Sequence, residues 1–380
     1  MKILFLDQSG KLGGAELSLL DLAKFYRSSC LVCLFSDGLF KEALEENQVP
    51  VRILSKRSLQ IYKDSNFWQS IKNIKQLIPL IIEVVQLSHD YDIIYANTQK
   101  AMVVGSIASW LTGKKLVYHL HDIISLEHFS KANRQLVVLF ANRFASLIIA
   151  NSRATKSAFI EAKGRADLIE VVYNGFNLEQ YQERHSSKQL KQNLNLKGNN
   201  YIIGSFSRLS PWKGQHILLQ ALTYCPEVMA ILVGDALFGE HEYVKELHQQ
   251  IEWLGLNDRV IFLGFRTDIP QLMSACDLIV HTSIAPEPFG RVIVEAMLCG
   301  KPVVATAAGG VTELISHYHT GWLTIPGNVS DLAATINQCR QQIEMTQQIA
   351  IAGKNSAVRR FDLSNIQQQI NYLLGQIVSF

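Results

Sequence analysis

The segment "PEPFGRVIVEAMLCGKPVVAT", Pro286–Thr306, reads as a Pro-flanked turn, a helix over "FGRVIVEAMLCG" and a strand in "PVVAT". Outward from it, short β-rich runs alternate with longer helical patterns, the signature of parallel sheets with crossover helices. In the first half the strand candidates are "KILFLD", "CLVCLF", "VRIL", "DIIYAN", "KLVYHL", "LIIAN" and "EVVYN". A polar interval, Leu178–Asn200, then precedes a second series: "YIIGSFSRL", "MAILVGD", "VIFLGF", "DLIVHTS", "PVVAT" and "GWLTI", with a helical tail from about Val329. The pattern predicts an α/β protein of two Rossmann-like, doubly wound domains facing across a cleft. Residues 1–182 form the first domain and 195–362 the second, with a last helix over about 363–380 packing back on the first.

At 380 residues the chain exceeds the size at which one core stops growing, and 48% hydrophobic against 18% charged residues supplies two cores. A net charge of +3, dispersed along the chain, excludes a nucleic-acid footprint. The basic excess lies in residues 1–184, and within it Arg52, Lys56, Arg57, Lys63, Lys72 and Lys75 face a single acid, Asp64. With Phe67, Trp68 and Ile71 this stretch has two readings: a crossover helix with a wet basic edge, which is favoured, and a surface for peripheral membrane contact. No signal peptide or spanning segment is visible, so a cytoplasmic protein is expected. The six cysteines sit in apolar runs, and Cys30 and Cys33 fall on opposite faces of one strand, as core residues would.

Neither an NAD fingerprint nor a P-loop is present. Polar residues just after strands therefore carry the functional reading. "DQSGKLGGAE" leads into a helix through Gly13 and Gly14, where backbone N–H groups could approach an anion; an ordinary turn is the equal alternative. "SRLSPWKG" places Arg208 and Lys213 on one loop, a fork and a point charge suited to a diphosphate. "HLHD" places His119 and His121 at a strand tip, without a third ligand at metal spacing beyond Asp122; His121 is the catalytic candidate. Glu287 precedes the helix start and Glu295 lies within the helix, roughly 10 Å away at ~1.5 Å per residue, wider than the ~5 Å of a retaining glycosidase pair though still compatible with the wider inverting spacing. Arg291 and Glu295, at i and i+4, form either a solvent-facing ion pair or part of a groove.

Taken in order, "GGAE", "HD", "ANS", "YNGFN", "SRLSPWKG", "LVGD", "FLGF", "EPFGRVIVEAM" and "GKPVVATAAGG" resemble the family 4, E-x7-E group of GT-B retaining glycosyltransferases over nearly the whole chain. The resemblance implies hexosyl transfer from a nucleotide diphosphate sugar, UDP- or GDP-linked, to a hydroxyl acceptor, with no metal and no cofactor beyond the donor. It also implies roles. Glu287 touches the donor sugar hydroxyls and Glu295 the ribose; Arg208 and Lys213 hold the diphosphate, with Gly13 and Gly14 facing them; His121 stands beside the reacting sugar. Backbone N–H groups of Phe289, Gly290 and Arg291 add their dipoles, and Phe265 and Arg266 approach the base. Two positions depart from the pattern: Asn97, where many relatives carry histidine, and Pro288, where a small residue is common. A nucleotide-sugar 2-epimerase and a non-catalytic nucleotide-sugar-binding protein are the alternatives on this fold.

Overall fold

The computed structural model describes residues 1–54, 77–125, 129–181, 201–236 and 239–378. The chain divides into two compact units, Met1–Gly175 with Leu363–Phe380, and Phe176–Asp362. The dividing points are 175/176 and 362/363, the first of them just ahead of the polar interval that the sequence marks as a linker; residues 182–200 of that interval lie outside the described residues.

The first unit holds β1 (Ile3–Asp7), β2 (Cys30–Leu34), β3 (Val51–Ile53), β4 (Ile93–Ala96), β5 (Lys115–Leu120), β6 (Leu147–Ala150) and β7 (Ile169–Val171). They form one parallel sheet in the order β3-β2-β1-β4-β5-β6-β7. The second unit holds β8 (Tyr201–Phe206), β9 (Val228–Val233), β10 (Val260–Gly264), β11 (Leu278–His281), β12 (Val303–Thr306) and β13 (Trp322–Thr324), also parallel, in the order β10-β9-β8-β11-β12-β13.

Helices cover both faces of such sheets, so the central strands are apolar throughout rather than alternating. In β1, Leu4 and Leu6 enter one core cluster while Ile3 and Phe5 enter the other. Cys33 and Cys30 divide between the same two clusters, and all six cysteines are free thiols. Asp7 closes β1 with no exposed surface, a polar exception in an otherwise apolar strand.

One helix differs from the sequence reading. A helix over Leu39–Glu46, not anticipated, buries only Phe40 and Leu44, too few apolar positions for a periodic signal. The helical tail from Val329 is three helices, Val329–Gln341, Ile343–Arg360 and Leu363–Val378. The third belongs to the first unit: Ile366, Ile370 and Leu374, a stripe at i, i+4 and i+8, join its core. Asn371 Oδ1 accepts from Tyr26 Oη at 2.9 Å, and Gln367 Nε2 donates to the Asp21 carbonyl at 2.8 Å.

Lys56, Arg57, Lys63, Phe67, Trp68, Ile71, Lys72 and Lys75 of the basic stretch lie outside the described residues. No helix among the described residues is long and apolar enough to cross a membrane.

In each sheet the strand order reverses beside its first strand, between β1 and β4 and between β8 and β11. Such a switch point leaves a crevice at the strand C-terminal ends, because the loops on its two sides run away from each other. Gly13 and Gly14 follow β1, Lys213 follows β8 and Glu287 follows β11, the strands at these points.

Candidate active site

In the second unit, Glu287 follows β11 in a loop tied to the loop after β12. The Gly310 amide donates to the Glu287 carbonyl at 2.7 Å, and residues 287 and 309 form a β-bridge. Gly309 holds a φ of +64°, and a Cβ there would lie 2.3 Å from the Glu287 carbonyl oxygen. Gly309→Ala is thus expected to shift this loop, lowering both the melting temperature and activity; unchanged values in calorimetry and assay would show the loop is not held from position 309.

The Glu287 side chain is buried, and its Oε1 receives three donors: Lys213 Nζ in an ion pair, Ser283 Oγ at 2.6 Å and His281 Nε2 at 3.0 Å. Burial, the largest influence, pushes its pKa up; the Lys213 ammonium and the His281 hydrogen bond outweigh it and hold the carboxyl well below the usual range. Lys213 ends the single turn Pro211–Lys213 after β8, with its ammonium 4.0 Å from the Trp212 ring centroid. A buried carboxylate and a nearly buried ammonium thus stand across the β8/β11 switch point.

Arg208 lies on the same loop, with Nε 3.4 Å from Glu240 Oε2, both side chains about one-fifth exposed. Phe289 is buried against Phe176 and Phe361, so its side chain serves the core and only its backbone is available for a ligand. Gly290, at φ +98°, caps the helix Arg291–Leu298. Arg291 and Glu295 approach to 3.8 Å, each side chain only 14% exposed, and the Arg291 guanidinium lies 4.5 Å from the Phe176 ring centroid. The pair is therefore shielded, contrary to a solvent-facing reading. In the turn after β10, Phe265 is 45% exposed and Arg266 forms a bidentate pair with Asp268 at 2.7 and 2.6 Å.

In the first unit, Gly13 caps the helix Gly14–Phe25. Its amide donates to Glu16 Oε2 at 3.1 Å, so a carboxylate of the chain itself sits at the place suggested for an external anion. Burial pushes Glu16 up, and burial with the Glu16 charge pushes Asp7 up to about 8. Asp7 accepts from Ser9 N at 2.8 Å and from Asn97 Nδ2 at 2.7 Å. Asn97 Oδ1 in turn lies 2.8 Å from His121 Nε2, just beyond β5. His119 bonds Tyr95 Oη through Nδ1 at 2.9 Å and is fully buried, which pushes its pKa down to about 3 and keeps it neutral. It is a core histidine. Among the described residues no group of three or more His, Cys, Asp or Glu could hold a metal.

Sequence reasoning did not single out Asp7, Glu16, Trp212, Glu240, His281 or Ser283. The available signal was position: Asp7 and His281 are the last residues of strands that end at the switch points.

Residues 186–356 match the family model for glycosyl transferases group 1, and residues 12–180 that for glycosyltransferase family 4. HepE of Anabaena, whose crystal structure is in complex with UDP and glucose, is 58% identical, with a TM-score of 0.92 over 99% of both chains. Spore coat protein SA of Bacillus subtilis is 27% identical over 268 residues, 66% of this chain and 69% of that protein. A UDP-Gal:alpha-D-GlcNAc-diphosphoundecaprenol alpha-1,3-galactosyltransferase of Escherichia coli is 27% identical over 277 residues, 70% of each. The chain belongs to the group 1 glycosyltransferases, enzymes of the GT-B fold.

Proposed function

We propose that this glycosyltransferase moves a hexose from a UDP-sugar to a hydroxyl acceptor with retention of anomeric configuration. The observation that carries the reading is the Lys213–Glu287 pair at the β8/β11 switch point. The UDP and glucose complex of the 58% identical HepE supports uridine as the base and glucose as the first sugar to test. In this reading Lys213 and Arg208 balance the diphosphate charge, which grows as the glycosidic bond breaks. Lys213, Ser283 and His281 fix Glu287 through Oε1, and Oε2 is assigned to the sugar hydroxyls. Glu295 is assigned to the ribose, the backbone of Phe289, Gly290 and Arg291 to the departing charge, and Phe265 and Arg266 to the base. In the first unit His121 is assigned to the transferred sugar and Gly13 and Gly14 to the diphosphate, the Gly13 amide once Glu16 moves aside.

The leaving diphosphate assists deprotonation of the acceptor hydroxyl on the face it leaves, so the new bond forms where the old one broke. No metal is required, the cationic side chains taking its place.

A thermal-shift panel of UDP, GDP, ADP and UDP-glucose tests the donor, since a ligand that binds only the folded state raises its midpoint. UDP and UDP-glucose are expected to give the largest shifts. No shift with any nucleotide would sink the reading; a larger shift with GDP would transfer it to another base. Proton NMR of glucose first released from UDP-glucose tests retention, the α anomer being the expected product.

A further inference from the structure

Lys213 sits on a turn with few bonds of its own. Pro211–Lys213 is closed by Lys213 N to the Ser210 carbonyl at 2.9 Å and by Gly214 N to the Pro211 carbonyl at 3.1 Å, and it passes into the next helix through Gly214 at φ +70°. The place of the ammonium therefore depends on what holds the main chain of this turn, because the flexible stem of a lysine swings from a loose base. Two bonds from the loop after β11 hold it. Ile284 N donates to the Trp212 carbonyl at 2.8 Å, and Oγ1 of the buried Thr282 donates to the Lys213 carbonyl at 2.9 Å. The two main chains touch at this point: a Cβ at Gly214 would lie 2.1 Å from the Thr282 carbonyl oxygen.

One short segment thus serves both partners of the ion pair. His281 and Ser283 reach Glu287 Oε1 at 3.0 and 2.6 Å, while Thr282 between them reaches the Lys213 carbonyl, the alternation expected along an extended stretch. Thr306, at the end of β12, holds the segment in turn through Oγ1, which donates to the Ser283 carbonyl at 2.6 Å. We propose that Thr282 is a positioning residue for sugar transfer, its hydroxyl setting the base of Lys213 at the separation from Glu287 that the diphosphate and the sugar of one donor require. This rests on the assignment of Lys213 to the diphosphate and of Glu287 to the sugar.

A carbonyl oxygen only accepts, so the single hydrogen of the Thr282 hydroxyl points at Lys213. Valine has nearly the same shape and no hydrogen to give; Thr282→Val therefore removes this bond from the Lys213 carbonyl and lets the turn shift. Lys213 acts most strongly on the diphosphate when charge has gathered there, as the glycosidic bond breaks. A displaced ammonium is then felt in the transition state and in the UDP product more than in the intact donor, and a misplacement of about 1 Å suffices for a large loss of rate. Uridine carries no diphosphate and does not report on Lys213.

Thr282→Val and Thr282→Ser in the full chain, their folding checked by thermal denaturation, are compared with wild type in turnover of UDP-glucose and in NMR titrations with UDP and with uridine. Thr282→Val is expected to lower kcat roughly 10-fold and to weaken UDP about as much, while donor KM and uridine affinity change by less than about twofold. Thr282→Ser keeps the hydroxyl and should match wild type throughout. Should Thr282→Val not fold, Thr282→Ala set against Thr282→Ser isolates the hydroxyl instead. Wild-type kcat and UDP affinity in Thr282→Val, or equal losses in the valine and serine variants, would overturn the proposal. Uridine weakened in step with UDP would overturn it too, since that is the mark of a general disturbance of the fold. Equal affinity of the wild-type chain for UDP and uridine would remove the diphosphate assignment on which the proposal rests, a result read without any Thr282 variant.

Discussion

Lys213→Ala is expected to abolish sugar transfer and to lower stability by about 3 kcal/mol, because it leaves the buried Glu287 carboxylate without its cation. From sequence alone the same substitution would be expected to leave the fold intact; burial at this position changes that. The pH dependence gives a second signature. The folded pKa of Glu287 is depressed, so its stabilisation is present above the unfolded value, 4.5, and is lost only as pH falls through the lower folded value. Without Lys213, burial is the dominant remaining influence and raises the pKa, so the variant should gain relative stability on acidification from pH 7 to 4. Urea denaturation at several pH values, with activity measured alongside, checks both effects. Measurable transfer, or a pH profile parallel to wild type, would remove the pair from its role.

Asp7→Asn should act in the opposite direction on stability. The folded protein holds the Asp7 proton to about pH 8, whereas the unfolded chain releases it near 3.8. The folded state therefore binds more protons in that window, and stability falls as pH rises through it, by up to a few kcal/mol. Asparagine cannot ionise, so relative to wild type the variant should be more stable at pH 8.5 than at pH 5. Denaturation midpoints at those two values decide it; an equal difference at both would show that Asp7 is ionised in the fold.

The strands were legible because a parallel sheet covered on both faces makes each central strand a continuous apolar run, as "KILFLD" and "MAILV" show. The helix Leu39–Glu46 was not, since two buried residues leave no stripe to detect. Lys213 and Glu287 could be singled out, each on a loop that follows a strand, but their pairing across 74 positions, and the convergence of His281 and Ser283 on one oxygen, come from the neighbouring of β8 and β11. Asn97 stood out only as a departure from the family pattern. Its contact with the Ala15 carbonyl is one that no side-chain pattern encodes.

The helix Leu363–Val378 has a consequence for how the chain is assembled. Its apolar stripe completes the core of the first unit, yet it follows the whole of the second unit in the chain. The second unit is thus topologically an insertion within the first, and a ribosome releases all of Phe176–Asp362 before the first core can close. Until then Leu19, Leu22 and their neighbours await a partner, a window in which a chaperone or a premature stop would act on the first unit alone. A chimera that exchanges one unit for that of a relative needs two junctions, near 175/176 and 362/363, rather than one.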